Sequence, residues 1–342
     1  MSFGGAKVQG RNTEEVLENI FRIPVDLPEN PLRQLNSYLI RDPEGSILID
    51  TGFRRPSCME ALLAGLSEIG ENPGNVDIFL THLHADHSGN ASDVIGDGRR
   101  ILISEVDAKW LESLPPEGKT RLGDGWVWSR ERDTLTGMPE KMVDNMEKLN
   151  PALMFAPPGG VRYSYVHDGD ILNAGGYSFQ CVLTPGHTPG HMCLWDERNG
   201  LMFTGDHVLF DITPNIGVWP GVKDLLGDYL DSLIMTRGFP VKISLPGHRK
   251  SGDFHERTEE LLEHHETRLA EVEGIVRAEP GLTAYDIASR MRWKIRANDW
   301  NDFPDPQKIF AIGECLSHLD YFSIRGAIVR ERDGDVHRYY IT

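Results

Sequence analysis

Apolar and polar positions along the chain switch between a period of two and a helical period, and the switches mark out its elements. Residues 35–40 and 47–50 are apolar runs joined by Asp42, Pro43, Glu44 and Gly45, which predicts an early β-hairpin. Ser57 stands where a helix cap belongs, ahead of a helix running to about Ile69 and closed by Gly70. Residues 76–80, interrupted by Asp77, predict a buried strand. Tyr177–Leu183 alternates in polarity, and the runs that begin at Leu201 and Val241 are apolar, so these too read as strands. Strands interleaved with helices predict a layered α/β domain.

Other regions are dominated by the helical period. Residues 105–160 mix Trp110, Trp126, Trp128, Met138, Met142, Met146, Met154 and Phe155 with many charges. Within them Met142, Val143, Met146 and Leu149 recur at helical spacing. This reads as a helical insertion, packed on the core or serving as a lid, a pocket wall or a dimer interface. An irregular loop begins at Asp211, in which Asn215 and Trp219 are placed either to touch a substrate or to serve structure alone; residues 221–235 then form an amphipathic helix. The chain divides at residue 252, with residues 253–342 as a separate module. There, Phe254–Ala278 is a long charged helix striped by Leu261, Leu262, Leu269, Val272 and Ile275, with His255, His264 and His265 reading as solvated. Thr283 caps a short helix through Met291, a third helix covers 306–321, and 326–341 is a hairpin turning at Asp333 and Gly334.

The chemistry sits where the strands stop. After the strand at 76–80 come His82, His84, Asp86 and His87, three imidazoles and a carboxylate within six residues. After Leu183 the run Thr-Pro-Gly-His-Thr-Pro-Gly-His carries His187 and His191. Gly205 ends an apolar run and presents Asp206, and Pro246-Gly247 does the same for His248. Buried strand, breaker and donor side chain thus recur four times. Imidazole nitrogen and carboxylate oxygen suit Zn, Fe or Mn ions.

This ordered set resembles the metallo-β-lactamase superfamily. The His-x-His-x-Asp-His run at 82–87 is followed by His187, Asp206 and His248 in the family order, and Asp50-Thr51-Gly52 matches a further early motif. The resemblance covers roughly residues 20 to 250, and the forms around His187 and Asp206 resemble the glyoxalase II and lactonase-like branch. It implies an αββα sandwich over residues 1–252, with the 105–160 insertion. It also implies two adjacent metal sites: His82, His84 and His187 at one, Asp86, His87 and His248 at the other, and Asp206 bridging both. His191 and His207 fall outside that set, and Asp50 is expected to orient a ligand imidazole rather than touch metal. The helix, helix, helix, hairpin order of 253–342 resembles the winged-helix tail of some relatives, including endoribonucleases. Its third helix carries Glu314 and Asp320 with little positive charge beyond Lys308, so packing or dimerisation is expected of it before nucleic-acid binding.

Two divalent ions so placed imply a water whose pKa falls from near 15.7 to about 7, attacking a carbonyl as metal-bound hydroxide. No Gly-x-Ser-x-Gly nucleophile motif is present, and Asp86 is the candidate to assist proton movement. Zinc is the default metal, with iron or manganese compatible; the lack of a thiolate in the motif argues against a zinc-only assignment. The expected reaction is hydrolysis of a small ester, thioester or lactone.

Composition bears on the alternatives. With 35 Lys and Arg against 52 Asp and Glu, the formal net charge is −17. That field opposes a polyanionic partner, so the rival reading as a metal-dependent nuclease is disfavoured against a small-molecule substrate. A single-iron oxygenase of the persulfide dioxygenase type would not need Asp86, His87 and His248, and a purely DNA-binding regulator would need none of the set. The four cysteines are far apart and suggest no disulfide framework. The N-terminus lacks a long apolar segment, which predicts no signal peptide, no membrane span and a cytoplasmic location.

Overall fold

The computed structural model describes residues 13–114, 130–149, 154–293 and 299–342. Trp126 and Trp128, named above for a lid, lie outside the described residues. The strands are β1 (Glu14–Leu17), β2 (Ile20–Asp26), β3 (Gln34–Ile40), β4 (Ser46–Ile49), β5 (Val76–Phe79), β6 (Ile101–Ser104), β7 (Ser164–Val166), β8 (Ile171–Ala174), β9 (Tyr177–Leu183), β10 (Met192–Asp196), β11 (Leu201–Gly205), β12 (Ile243–Pro246), β13 (Ile328–Asp333) and β14 (Val336–Ile341). The helices are α1 (Pro56–Ile69), α2 (Ala85–Ser88), α3 (Ala91–Val94), α4 (Glu105–Glu112), α5 (Arg130–Leu135), α6 (Glu140–Leu149), α7 (Leu225–Arg237), α8 (Phe254–Ala278), α9 (Ala284–Arg290) and α10 (Asp305–Ile324).

One sheet runs in the order β1 to β7, a second in the order β12-β11-β10-β9-β8. The period of two in each strand decides which layer it feeds. On β3, Leu35 and Leu39 face one apolar cluster while Tyr38 and Ile40 face another. On β10, Met192 and Leu194 face that second cluster while Cys193 and Trp195 face a third. The second cluster is therefore the seam between the sheets, joining Ile47, Ile49 and Phe79 to Phe179, Leu194 and Phe203. The first lies under α1, through Cys58, Leu62 and Leu66, and under α4, through Ala108 and Leu111. The third lies between the second sheet and α7, with Leu226, Tyr229 and Leu233, and reaches Phe254 and Leu261 of α8. The result is an αββα sandwich.

Several local expectations are corrected. Ser57 is not the cap of α1: Arg55 holds that place without a side-chain bond, because Pro56 occupies the first turn, where its fixed φ is already helical. Gly70 closes the helix as expected, at φ 78°. Asp77 is tolerated in its strand because Arg100 binds its carboxylate at 2.7 and 2.9 Å. Thr283 does cap α9, completing a capping box with Asp286. In the C-terminal hairpin Asp333 pairs with Val336, so the turn is one residue later than expected, at Gly334 and Asp335. His265 is not solvated but fully buried.

The described parts of residues 105–160 pack in two different places. The α4 segment packs on the first sheet. Met138, Met142 and Val143 instead join a fourth cluster with Val272, Ile287, Ile312, Leu319 and Tyr339, the apolar centre of α8, α9, α10 and the hairpin. Among the described residues, no helix is long and apolar enough to cross a membrane.

Candidate metal centre

Strand direction explains why donors far apart in sequence meet. Strands β4, β5 and β6 run parallel, so Asp50, the His82 loop and the start of α4 leave the first sheet at one rim. In the second sheet β9 and β11 are both antiparallel to β10, and β11 is parallel to β12. Their C-terminal ends therefore release His187, Asp206 and His248 on a common rim, the usual place for a site in sheets of this kind. Four donors, His82, His84, Asp86 and His87, come from the first sheet and three, His187, Asp206 and His248, from the second.

All seven predicted donors converge. His82 Nε2 lies 3.1 Å from His84 Nδ1, which lies 2.9 Å from His187 Nε2. His87 Nε2 lies 3.2 Å from His248 Nε2. Asp86 Oδ2 is 3.4 Å from His248 Nε2. Asp206 spans the two groups: Oδ2 is 3.5 Å from His187 Nε2 and 3.6 Å from His248 Nε2, and Oδ1 is 3.6 Å from His87 Nε2. The ligand atoms of His82, His84 and His187, of Asp86, His87 and His248, and of His82, His87 and Asp206 each fall within 4.8 Å of one another.

The hydrogen bonds around the cluster aim these atoms. His87 Nδ1 donates to Asp50 Oδ2 at 2.7 Å, His187 Nδ1 to the Asn215 carbonyl at 2.9 Å, and His248 Nδ1 to the Gln34 carbonyl at 2.8 Å. Each of these three rings thereby turns its Nε2 into the cluster. The Nε2 atoms of His87 and His248, 3.2 Å apart, are close enough to share a proton or to take one cation together. Asp206 Oδ1 is buried without a hydrogen-bond partner, an arrangement that costs about 1–3 kcal/mol if nothing answers it. A Cβ on Gly247 would stand 2.7 Å from that same oxygen and 2.8 Å from His87 Cε1, so only glycine leaves this space open. A nitrogen and oxygen donor set with this unanswered oxygen fits divalent metal ions.

Electrostatics divide the histidines. Burial and the imidazoles of His87, His84 and His187 hold His82 well below the ordinary histidine range. Burial and His187 push His84 down to about 3. Burial would lower His87 too, but the carboxylates of Asp50, Asp206 and Asp86 outweigh it and raise it well above its usual value. His248 is raised for the same reason, chiefly by Asp206. Burial opposes ionisation of Asp86, yet His87 and His248 bring it down to about 2. Asp206 is likewise held well below its usual range, with His248 and His87 outweighing its burial. Both site carboxylates are therefore ionised at neutral pH.

Outside the donor set, His191 accepts the Asp206 backbone N–H at its Nε2, 3.0 Å away, and His207 meets the Thr236 hydroxyl at 2.9 Å. Asp50 sits at φ 59°, a left-handed conformation that aspartate tolerates better than most residues. From there its carboxylate also accepts the Thr81 N–H and hydroxyl. Three contributors were not anticipated. Asp107 is fully buried at the start of α4, accepting the Leu83 N–H (3.0 Å), the Thr188 hydroxyl (2.7 Å) and the Gly190 N–H (2.7 Å), so it ties the His82 loop to the His187 loop. Its sequence signal was another acidic residue just past a strand end, hidden in the stretch read as an insertion. The other two, the Asn215 and Gln34 carbonyls, are main-chain atoms that no residue type announces. Trp219 stacks over His84 with ring centroids 6.0 Å apart, and Trp110 lies 5.8 Å beyond it.

Two packed sheets that gather imidazoles and carboxylates at one rim define a class of metal-binding α/β sandwich. The chain belongs to the metallo-beta-lactamase superfamily, whose model matches residues 30–248. Members of this superfamily use metal ions and are mostly hydrolases. The chain is similar to the lactamase-like protein adaB of Aspergillus niger, 27% identical over 264 residues, which are 76% of this chain and 64% of that protein. It is also similar to the thioesterase pkgB of Emericella nidulans, 24% identical over 217 residues, 64% of this chain and 46% of that one. The crystal structure of a metallo-beta-lactamase family protein from Thermus thermophilus superposes with a TM-score of 0.78 at 26% identity, covering 96% of this chain and 100% of that chain.

Proposed function

We propose that the chain hydrolyses a small ester, thioester or lactone with two divalent metal ions, zinc being the default. One observation carries the reading: seven donors from both sheets turn into one cluster, where the buried Asp206 Oδ1 has no hydrogen-bond partner. His82, His84 and His187 would hold one ion, Asp86, His87 and His248 the other, with Asp206 between them. Bound there, such ions supply Lewis acidity for a carbonyl and lower the pKa of water enough to make it a nucleophile at neutral pH. No cysteine enters the cluster: all four are buried elsewhere.

The chain's own residues set the rest. Asp86, 3.4 Å from His248 Nε2 and held ionised, can accept the proton the attacking water loses and hand it on to the departing group. Asp50, Asp107 and His191 keep the donors in place so that a substrate meets a preorganised site. Trp219 offers an aromatic face beside His84 for an apolar portion of the substrate. Similarity to the thioesterase pkgB favours a thioester within the class. The net charge of −17 supports a small substrate over a nucleic acid. So does α10, where Lys308 is buried and Glu314 is paired with Arg268, so that neither contributes to a basic face.

The test is a panel of thioesters, lactones, simple esters and a structured RNA offered to metal-replete protein, beside His84→Ala. Turnover of a carbonyl substrate that the variant lacks supports the reading. Cleavage of RNA alone, weakened by salt, would replace it with a nuclease. Silence on every substrate from protein carrying two ions per chain would remove its support.

A further inference from the structure

The segment from His207 to Lys223 leaves the centre at Asp206 and reaches the Asp224 cap of α7 without helix or strand of its own. A stretch like this must find partners for its backbone elsewhere, and it finds them on the C-terminal helices. Arg257 of α8 donates to the Leu209 carbonyl at 2.7 Å and to the Ile212 carbonyl at 3.1 Å. Ser317 of α10, itself buried, donates to the Ile216 carbonyl at 2.7 Å. The Asn215 side chain donates to the Phe310 carbonyl at 3.3 Å, and Arg325 reaches Asp224 at 2.6 Å. The same segment then acts on the centre. The Asn215 carbonyl fixes the His187 ring, and Trp219 stacks over His84.

We propose that the C-terminal module is the template that shapes the His187 side of the metal centre, with Arg257 and Ser317 as positioning residues that touch neither metal donors nor substrate. This rests on reading the cluster as a metal centre. Ser317 fixes residue 216, and the Asn215 carbonyl one peptide earlier is the only described acceptor for His187 Nδ1. Loosening that segment lets the imidazole rotate while Asp86, His87 and His248 stay in place, the two rings being oriented by Asp50 and Gln34 from the first sheet.

The test uses the full chain with Ser317→Ala, Arg257→Met and the control Ser323→Ala, whose hydroxyl bonds only its own helix through the Leu319 carbonyl. Zinc and cobalt titrations read the two affinities separately, with His187→Ala and His248→Ala marking which ion is which. The expected result is that the ion marked by His187→Ala weakens about tenfold in Ser317→Ala and Arg257→Met, the size typical of outer partners of a ligand. The other ion and the control stay within about twofold. Amide exchange across 207–224 quickens in the same two variants. Equal weakening of both ions, no weakening, or the same change in Ser323→Ala would overturn the inference while leaving the metal reading intact. A parent chain that binds no ion would overturn both.

Discussion

The molecule buries two groups of histidines, and they differ in what surrounds them. At the rim of the sandwich five imidazoles share space with Asp86 and Asp206, and three of them have Nδ1 committed to a fixed acceptor. Between α8 and α10, His265 Nδ1 and His318 Nε2 lie 3.4 Å apart, with His318 Nδ1 donating to the Glu314 carbonyl. That pair has no carboxylate answering it, since Glu314 is engaged by Arg268. Burial holds His265 well below its usual range and pushes His318 down to about 4, unopposed by any negative neighbour. In the metal centre the same burial is overcome at His87 and His248 by aspartates. Burial alone makes a packed histidine. A cation site needs burial together with aimed lone pairs and negative charge.

Substitutions can break or sharpen that contrast. The largest effect is expected from Asp206→Ala, which removes the carboxylate shared by both halves. Hydrolysis should fall about 10³-fold or more, roughly 4 kcal/mol of transition-state stabilisation, with loss of bound metal by elemental analysis. His265→Phe, in the other group, should leave metal content and turnover unchanged; metal loss there would erase the distinction. Next comes Asp50→Ala, which strips His87 Nδ1 of its acceptor while leaving every donor present. Metal affinity should drop about 10–100-fold in a competition titration with a chromophoric chelator.

A subtler effect concerns pH. The folded-state values of His265 and His318 lie below the ordinary 6.5, so between that pH and about 4 the unfolded chain takes up protons the native chain refuses. Stability therefore falls as pH drops through this window, by up to about 1.4 kcal/mol per pH unit for each histidine. Burial of Asp320, pushed up to about 6, and of Glu314 works in the opposite sense, because those native carboxyls hold protons the unfolded chain has lost. The informative quantity is thus a difference. His318→Gln should flatten the urea-midpoint profile between pH 6.5 and 4 by about one histidine's share, and a parallel profile would refute the assignment. The smallest change is expected at Trp219→Ala. It should raise KM for an apolar thioester about three- to tenfold with metal content unaltered, the scale of losing one aromatic contact.

How far these features could be read from the chain differs between the two groups. The donors of the metal centre were legible because each follows a strand end and a breaker, a local pattern that survives without any knowledge of packing. Several strands were legible too, β3 and β5 as apolar runs and β9 by its alternation, whereas β10 went unread. What supports the donors was less so. Asp107 looks like any acidic residue at a helix start, and its role depends on Leu83, Thr188 and Gly190 approaching it from two other loops. His265 looked solvated because it sits in a charged helix beside His264 and Glu266. Its burial is set by Tyr229 and His318, which arrive from elsewhere in the fold. Met138, Met142 and Val143 show a clear helical face, but nothing local says that its partners are α8, α9, α10 and the C-terminal hairpin.

The split of donors between the two sheets has a mechanical corollary. With four contributed from one side of the seam and three from the other, occupancy rivets the two halves of the sandwich together at their open rim. Chelation should then act first as a mild, local denaturant, unzipping the seam at that edge before either sheet frays. The melting temperature becomes a gauge of free metal, shifting by the equivalent of about 2.7 kcal/mol at a hundredfold excess over the dissociation constant.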